Sequence, residues 1–164
     1  MTSRTASPRA SEKTADPVFR VVVLHDDHVT ARRGTLVARG IAHDMGVGDS
    51  CETALWNIDL FDTLFGRDAA IDASMADIVI VALCDSAGFS ADLKTWLGRW
   101  LIQKKGSSAA LIVVFENNHA PGAKKARTFV ERAAHSVGRD CFSQPAETSP
   151  SDEDARAHEF LWVL

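Results

Sequence analysis

The sequence predicts a three-layer α/β domain, in which helices cover both faces of a parallel sheet. Two observations lead to this prediction. Continuous β-branched runs recur along residues 18 to 146, and helical patterns alternate with them. Strand-helix-strand units of this kind need right-handed crossovers, which build a doubly wound sheet. We therefore expect five parallel strands in the spatial order 2-1-3-4-5.

Runs of apolar, largely β-branched residues predict three strands that are buried on both faces. Strands 1, 3 and 4 are Phe19 to His25 (FRVVVLH), Asp77 to Leu83 (DIVIVAL) and Ala110 to Phe115 (ALIVVF). Weaker patterns at Glu52 to Asp59 and Arg139 to Ser143 predict strands 2 and 5.

Helices are predicted where apolar residues recur at spacings of three and four. These segments are Thr30 to His43, Asp62 to Ser74, Ser90 to Lys104 and Ala123 to Val137. Gly106 and Gly138 follow the last two, and glycine suits the left-handed conformation that ends many helices.

The two ends of the chain differ from this core. Residues 1 to 17 lack apolar periodicity, so we expect a disordered leader. Residues 147 to 164 are acidic and end in the apolar stretch Phe160 to Leu164. We therefore expect the domain to cover residues 18 to 146, followed by an acidic C-terminal extension.

Composition excludes several classes of protein. With 46% hydrophobic and 24% charged residues the chain matches ordinary soluble domains, and no apolar run reaches the roughly 18 residues that span a bilayer. The net charge of −4, with one basic cluster at Lys124, Lys125 and Arg127, argues against nucleic-acid and membrane partners. Three cysteines without a spacing pattern, and no signal-peptide pattern, predict a cytoplasmic protein.

Polar residues follow three of the predicted strands. In doubly wound sheets ligands bind outside the carboxyl ends of the strands, beside the point where the strand order reverses. The alternative is that these residues form ordinary exposed loops. The predicted rim consists of His25, Asp26, Asp27 and His28 after strand 1; Cys84, Asp85 and Ser86 after strand 3; and Glu116, Asn117, Asn118 and His119 after strand 4.

The stretch Val21 to Gly34 (VVVLHDDHVTARRG) resembles the first strand and turn of response-regulator receiver domains, which have a flavodoxin-like fold. DIVIVAL and ALIVVF resemble the third and fourth strands of that family. The resemblance implies that Asp26 and Asp27 hold Mg²⁺ weakly, and no other cofactor is expected. The alternative is that these carboxylates cap the helix that begins near Thr30.

The sequence departs from receivers where phosphoryl transfer takes place. Ala82 stands where the resemblance places the phosphorylated aspartate, and Asp85 lies three residues further on. The switch hydroxyl falls at Phe115 or Glu116, and Gln144 replaces the lysine of the fifth strand. Because phosphoryl transfer needs all of these groups, the resemblance implies a degenerate receiver. We expect a non-catalytic signalling or protein-interaction module.

An enzyme of the same fold is the competing hypothesis. Cys84 or Ser86 would be the nucleophile of a hydrolase or transferase, and His119 or His25 the base. The chain has no G-x-S-x-G motif to support it. A flavin site is not expected, because the acidic pair after strand 1 would repel the flavin phosphate.

The predicted helix Ser90 to Lys104 carries two tryptophans, Trp96 and Trp100, on one apolar face. Packing against the sheet is the simpler interpretation. Because the face also includes Leu101 and Ile102, the alternative is a surface for a protein partner or a homodimer.

Overall fold

The computed structural model describes residues 18–61, 64–84, 89–115, 121–145 and 159–163. The predicted alternation of strands and helices is confirmed over these residues. In chain order the elements are β1 (Phe19–His25), α1 (His28–Asp44), β2 (Cys51–Asn57), α2 (Leu64–Met75), β3 (Ile78–Leu83), α3 (Ala91–Gln103), β4 (Ala110–Phe115), α4 (Pro121–Ser136), β5 (Cys141–Pro145) and β6 (Glu159–Val163).

The first four strands are parallel and lie in the order β2-β1-β3-β4, as predicted. The prediction of a five-stranded, fully parallel sheet in the order 2-1-3-4-5 is wrong beyond β4. Strand β6 lies between β4 and β5 and is antiparallel to both, so the described sheet is mixed and has six strands. The C-terminal stretch treated above as an extension therefore contributes a strand to the domain's sheet.

Composition explains why β6, rather than β5, lies beside β4. The strand beside β4 has a neighbour on each side, whereas β5 lies at the edge of the described sheet. The sequence of β6 is EFLWV, whereas that of β5 is CFSQP. The more apolar strand gains more by taking the interior position, and a strand that ends in proline is better tolerated at the edge.

The two faces of the sheet are covered by different helices. On one face, Val21, Val23 and Ile80 share a core with Ala38 of α1. On the other, the alternate strand residues pack with side chains from α2, α3 and α4. Right-handed crossovers explain this division. Strand β2 is added on one side of β1, and β3 and β4 are added on the other side, so the connecting helices lie on opposite faces.

Helix α1 lies close to the sheet because its buried residues are small. They recur every four residues and are Thr30, Gly34, Ala38 and Ala42. A Cβ atom at Gly34 would lie under 3.0 Å from Val23 Cγ1 and 3.4 Å from Ala82 Cβ. Gly34 is therefore a point of close contact between α1 and strands β1 and β3, near the predicted rim.

The turns at the opposite end of the strands are also well defined. Gly106 and Gly138 have φ angles of 81° and 74°, which confirms the predicted left-handed helix ends. The Arg139 guanidinium donates hydrogen bonds to the carbonyl oxygens of Ala109 at 2.5 Å and Lys104 at 2.6 Å. This side chain joins the turn before β4 to the turn before β5. None of the described helices combines the length and apolar character that crossing a membrane requires.

Candidate functional site

The carboxyl ends of the parallel strands form the predicted rim. His25 at the end of β1 is in register with Asn57 of β2 and with Ala82 of β3. The loops after β1 and β3 are in direct contact, because the Cys84 N–H donates a hydrogen bond to Asp26 Oδ2 at 2.8 Å. The structure thus brings together the acidic pair and the first residue after β3.

Both carboxylate oxygens of Asp26 accept hydrogen bonds from the protein. Oδ2 accepts from Cys84 N–H, and Oδ1 lies 2.8 Å from the hydroxyl of Thr30, which is 1% exposed. That hydroxyl has one proton, and Asp26 Oδ1 is its nearest acceptor. Asp26 therefore ties the β1–α1 turn to the end of β3.

Asp27 caps helix α1, which confirms the capping interpretation. Its Oδ1 accepts the Thr30 N–H at 2.8 Å, while Thr30 Oγ1 accepts the Asp27 N–H at 3.1 Å. This reciprocal pair is a capping box that satisfies two backbone donors at the helix start. The hydrogen bond from the Thr30 N–H favours the charged carboxylate and lowers the pKa of Asp27.

The hydrogen bonds of the acidic pair bear directly on the predicted Mg²⁺. Cys84 N–H and the Thr30 hydroxyl each use one acceptor site on Asp26, which leaves fewer sites of this carboxylate for a cation. In the described part of the chain, no cluster of three or more His, Cys, Asp or Glu side chains is arranged to hold a metal ion. Magnesium at Asp26 and Asp27 stays a prediction.

The remaining predicted site residues divide into two groups. His25 and Cys84 are half-buried at the rim, His28 is exposed on the first turn of α1, and His25 Nδ1 has no hydrogen-bond partner among the described residues. Those outside the described residues are Asp85, Ser86, Glu116, Asn117, Asn118 and His119. The Cys84–His119 and Ser86–His119 pairings of the enzyme hypothesis therefore stay predictions.

The positions aligned with the phosphoryl-transfer groups of receivers are occupied as follows. Ala82 is fully buried and packs on the α1 side of the sheet, beside Gly34. Phe115 is 2% exposed and belongs to the core on the opposite face. Gln144 lies on β5, which β6 separates from β4. The corrected strand order therefore places Gln144 one strand further from the acidic pair than predicted.

The tryptophans of α3 pack mainly within the domain. Trp100 is 3% exposed, and its Nε1–H donates to the Ala73 carbonyl oxygen at 2.8 Å. Trp96 is half-buried, with its ring centroid 5.3 Å from that of Phe61. The packing interpretation thus accounts for Trp100, and Ile102 at 67% exposure is the prominent apolar residue that α3 leaves outside. A partner surface on this helix stays a prediction.

Sequence reasoning missed a groove on the α1 side of strand β2, away from the rim. It has a volume of about 810 Å³, and its lining includes Arg39 and His43, one helical turn apart on α1. The signal was present in the sequence: α1 carries Arg32, Arg33 and Arg39 against a single acidic residue, Asp44. It was missed because the rule that selects strand ends does not consider a sheet edge.

Comparisons with known proteins identify no family. No protein-family model matches the chain, and no curated protein matches it. Among solved structures, the Dnmt2 methyltransferase of S. pombe has a TM-score of 0.48 and 9% sequence identity. That alignment covers 90% of this chain and 49% of the methyltransferase chain, so this chain corresponds to about half of that protein. A match at this level carries no functional argument.

Proposed function

We propose that this chain is a non-catalytic signalling or protein-interaction module, a degenerate receiver whose acidic turn stabilises the domain. The observation that supports the proposal best is that both oxygens of Asp26 accept hydrogen bonds from Cys84 N–H and the Thr30 hydroxyl. Asp27 is likewise engaged as the cap of α1. The acidic pair thus has a structural role that needs no metal ion.

Within the described residues, the positions that align with the phosphoryl-transfer groups of receivers hold none of those groups near this turn. Phosphoryl transfer to a carboxylate requires an acceptor side chain and cationic groups that neutralise the negative charge of the phosphoryl group. At Ala82 the methyl group is enclosed between the sheet and Gly34, so the space for an acceptor side chain is filled by helix α1. Gln144 is neutral and lies beyond β6. We therefore expect output by binding rather than by phosphorylation.

The direct test is incubation of the full chain with acetyl phosphate and Mg²⁺, followed by intact-mass spectrometry. We expect no added phosphoryl group, whereas an active receiver treated in parallel gains one. A modification that maps to Asp85 and disappears in Asp85→Asn would overturn the proposal. The chain would then be a phosphorelay domain with a displaced acceptor.

The enzyme hypothesis has one supporting observation, namely that His25 Nδ1 is buried without a partner among the described residues. An activated cysteine nucleophile is a thiolate near neutral pH and reacts quickly with alkylating reagents. Cys51 is a matched internal control, because both cysteines are half-buried. We expect iodoacetamide to label Cys84 no faster than Cys51 at about pH 6, well below the ordinary thiol pKa of about 8.5. Much faster labelling of Cys84 would favour the enzyme.

Cys51 and Cys84 also bear on the cellular location of the protein. Cys51 and Cys84 are not joined in a disulfide. Cysteines without disulfides are usual in proteins of the reducing cytoplasm. We propose a cytoplasmic module whose partner is a protein.

A further inference from the structure

Strand β2 forms one end of the sheet. It pairs with β1 along all seven of its residues, and no other strand of the described chain lies on its outer side. Natural proteins protect such an edge with charges, prolines or bulges. The sequence of β2, CETALWN, has one charged residue and no proline. Its outward backbone N–H and C=O groups are thus suited to pair with a further strand.

Grooves lie on both faces of this edge. The α1-side groove, of about 810 Å³, is lined by residues that include Thr35, Arg39, His43, Cys51, Thr53 and Leu55. The α2-side groove, of about 310 Å³, is lined by residues that include Arg20, Glu52, Ala54, Asp72 and Met75. Side chains of an added strand would point alternately to the two faces, one set toward each groove.

The charges of the α1-side groove select among possible occupants. Arg39 is exposed, and no carboxylate of the described residues forms a salt bridge with it. The acidic residue in the lining, Asp49, precedes β2 and therefore lies at the end of the groove where α1 finishes, near His43. Further along β2 the groove presents Arg39 without a partner. An acidic side chain on an added strand would complement it.

The α2-side groove has a different character. Its cationic group, Arg20, already lies 3.6 Å from Glu52, and Asp72 accepts a hydrogen bond from Trp56 at 3.0 Å. The polar groups of this groove are therefore paired within the chain. Arg20 and Glu52 are exposed but paired with each other, and Met75 adds an apolar side chain that is 49% exposed. Apolar side chains suit this face.

A second copy of the chain does not fit these charges. If two β2 strands paired, the side chains entering the partner's α1-side groove would be those of Cys51, Thr53 and Leu55, none of which is acidic. The one carboxylate of β2, Glu52, lines the other groove. Homodimerisation at this edge would leave Arg39 uncompensated.

We propose that β2 is a docking edge for an extended segment of a partner protein, which adds a strand to the sheet and alternates acidic and apolar side chains. The acidic side chains face Arg39, and the apolar ones face Met75. Backbone hydrogen bonds along the edge supply affinity, and the two grooves supply specificity. This inference rests on the proposed function as an interaction module and names the binding surface and the chemistry of its partner.

The test uses a fluorescein-labelled peptide of seven alternating valine and glutamate residues, matching β2 in length. Binding to the full chain is followed by fluorescence anisotropy. We expect saturable binding that weakens at least tenfold for Arg39→Ala, which corresponds to about 1.4 kcal/mol. Arg132→Ala on α4 removes the same charge from another exposed site and should bind like the wild type. A peptide with lysine in place of glutamate should not bind.

N-methylated peptides test strand addition itself. Methylation of one alternate set of amides should abolish binding, while methylation of the other set should preserve it, because only one set faces β2. No binding at millimolar peptide, equal affinity of the Arg39→Ala and Arg132→Ala variants, or insensitivity to methylation would each overturn the inference. So would a dimer in light scattering that Leu55→Asp disrupts. The acetyl phosphate experiment does not depend on this edge, so failure here is distinguishable from failure of the proposed function.

Discussion

Replacing Gly34 by alanine adds a methyl group where α1 packs tightly against the sheet. The new Cβ atom would lie under 3.0 Å from Val23 Cγ1, and both Val23 and Ala82 are fully buried. Adding a methyl group to a packed core costs about 1–3 kcal/mol. Alanine in place of glycine inside a helix returns up to about 1 kcal/mol. We expect Gly34→Ala to be destabilised overall.

Gly40 provides a matched control on the same helix. It is exposed, and a Cβ atom there meets nothing within 4 Å, so Gly40→Ala receives the helical gain without the packing cost. The two variants should therefore differ by the packing cost itself, about 1–3 kcal/mol. Urea unfolding followed by tryptophan fluorescence measures the free energy of unfolding for each variant.

A third variant identifies the atom responsible. Val23→Ala removes the Cγ1 atom that the new methyl group would meet, so Gly34→Ala should become neutral or stabilising in that background. The double variant should then be less destabilised than the sum of the two single variants, which is the coupling that a double-mutant cycle measures between residues 23 and 34. If Gly34→Ala and Gly40→Ala stabilise the protein equally, or if the coupling is absent, α1 does not contact β1 at Gly34 and the packing argument fails.

Three further predictions concern the polar contacts. Asp27→Ala should destabilise the domain by about 1 kcal/mol at pH 7. Because folding lowers the pKa of Asp27, the stabilisation that its carboxylate gives the wild type is present above the unfolded pKa. It is lost as the pH falls below about 4. Urea unfolding at pH 7 and pH 3 should thus show a smaller difference between wild type and Asp27→Ala at pH 3, and an equal difference would contradict the cap. Asp26→Ala should lower the free energy of unfolding by about 1–3 kcal/mol, because Cys84 N–H loses its acceptor. Asp26→Asn should lower it less, because the amide oxygen still accepts this hydrogen bond. Equal thermal melts of Asp26→Ala and wild type would show that the bond contributes nothing. Arg139→Ala should lower the free energy of unfolding by about 2 kcal/mol. Arg139→Lys should lower it by a similar amount, since an ammonium group lacks the two guanidinium nitrogens that reach the carbonyl oxygens of Ala109 and Lys104 together. Full recovery of stability in Arg139→Lys would refute this role.

Most of the parallel part of the fold could be predicted because its signals are local. The run FRVVVLH and the helix-end glycines Gly106 and Gly138 each determine structure through their own neighbours in the chain. The position of β6 was missed because EFLWV is a strand pattern of five residues in an acidic segment, and nothing local states which strand it pairs with. Its antiparallel pairing with β4 is seen only in the tertiary structure.

The candidate site was predicted as a set of residue types but not as a set of contacts. Asp26 and Asp27 were identified from the sequence, and helix capping was one of two alternatives. That Asp26 is held by Cys84 N–H, 58 positions away in the chain, follows only from the meeting of β1 and β3. The α1-side groove, which includes Arg39, likewise forms only when α1 packs beside β2.

The sequence by itself determined the α/β class, the β2-β1-β3-β4 part of the strand order and the acidic turn, because hydrophobic periodicity and right-handed crossovers constrain each in turn. Only the tertiary structure decided that β6 displaces β5, that α1 approaches the sheet at Gly34, and that β2 remains an open edge between two grooves. These features depend on which distant segments compete for the same buried surface. The free energy differences that decide this competition depend on contacts between distant segments, so no single stretch of the chain determines them.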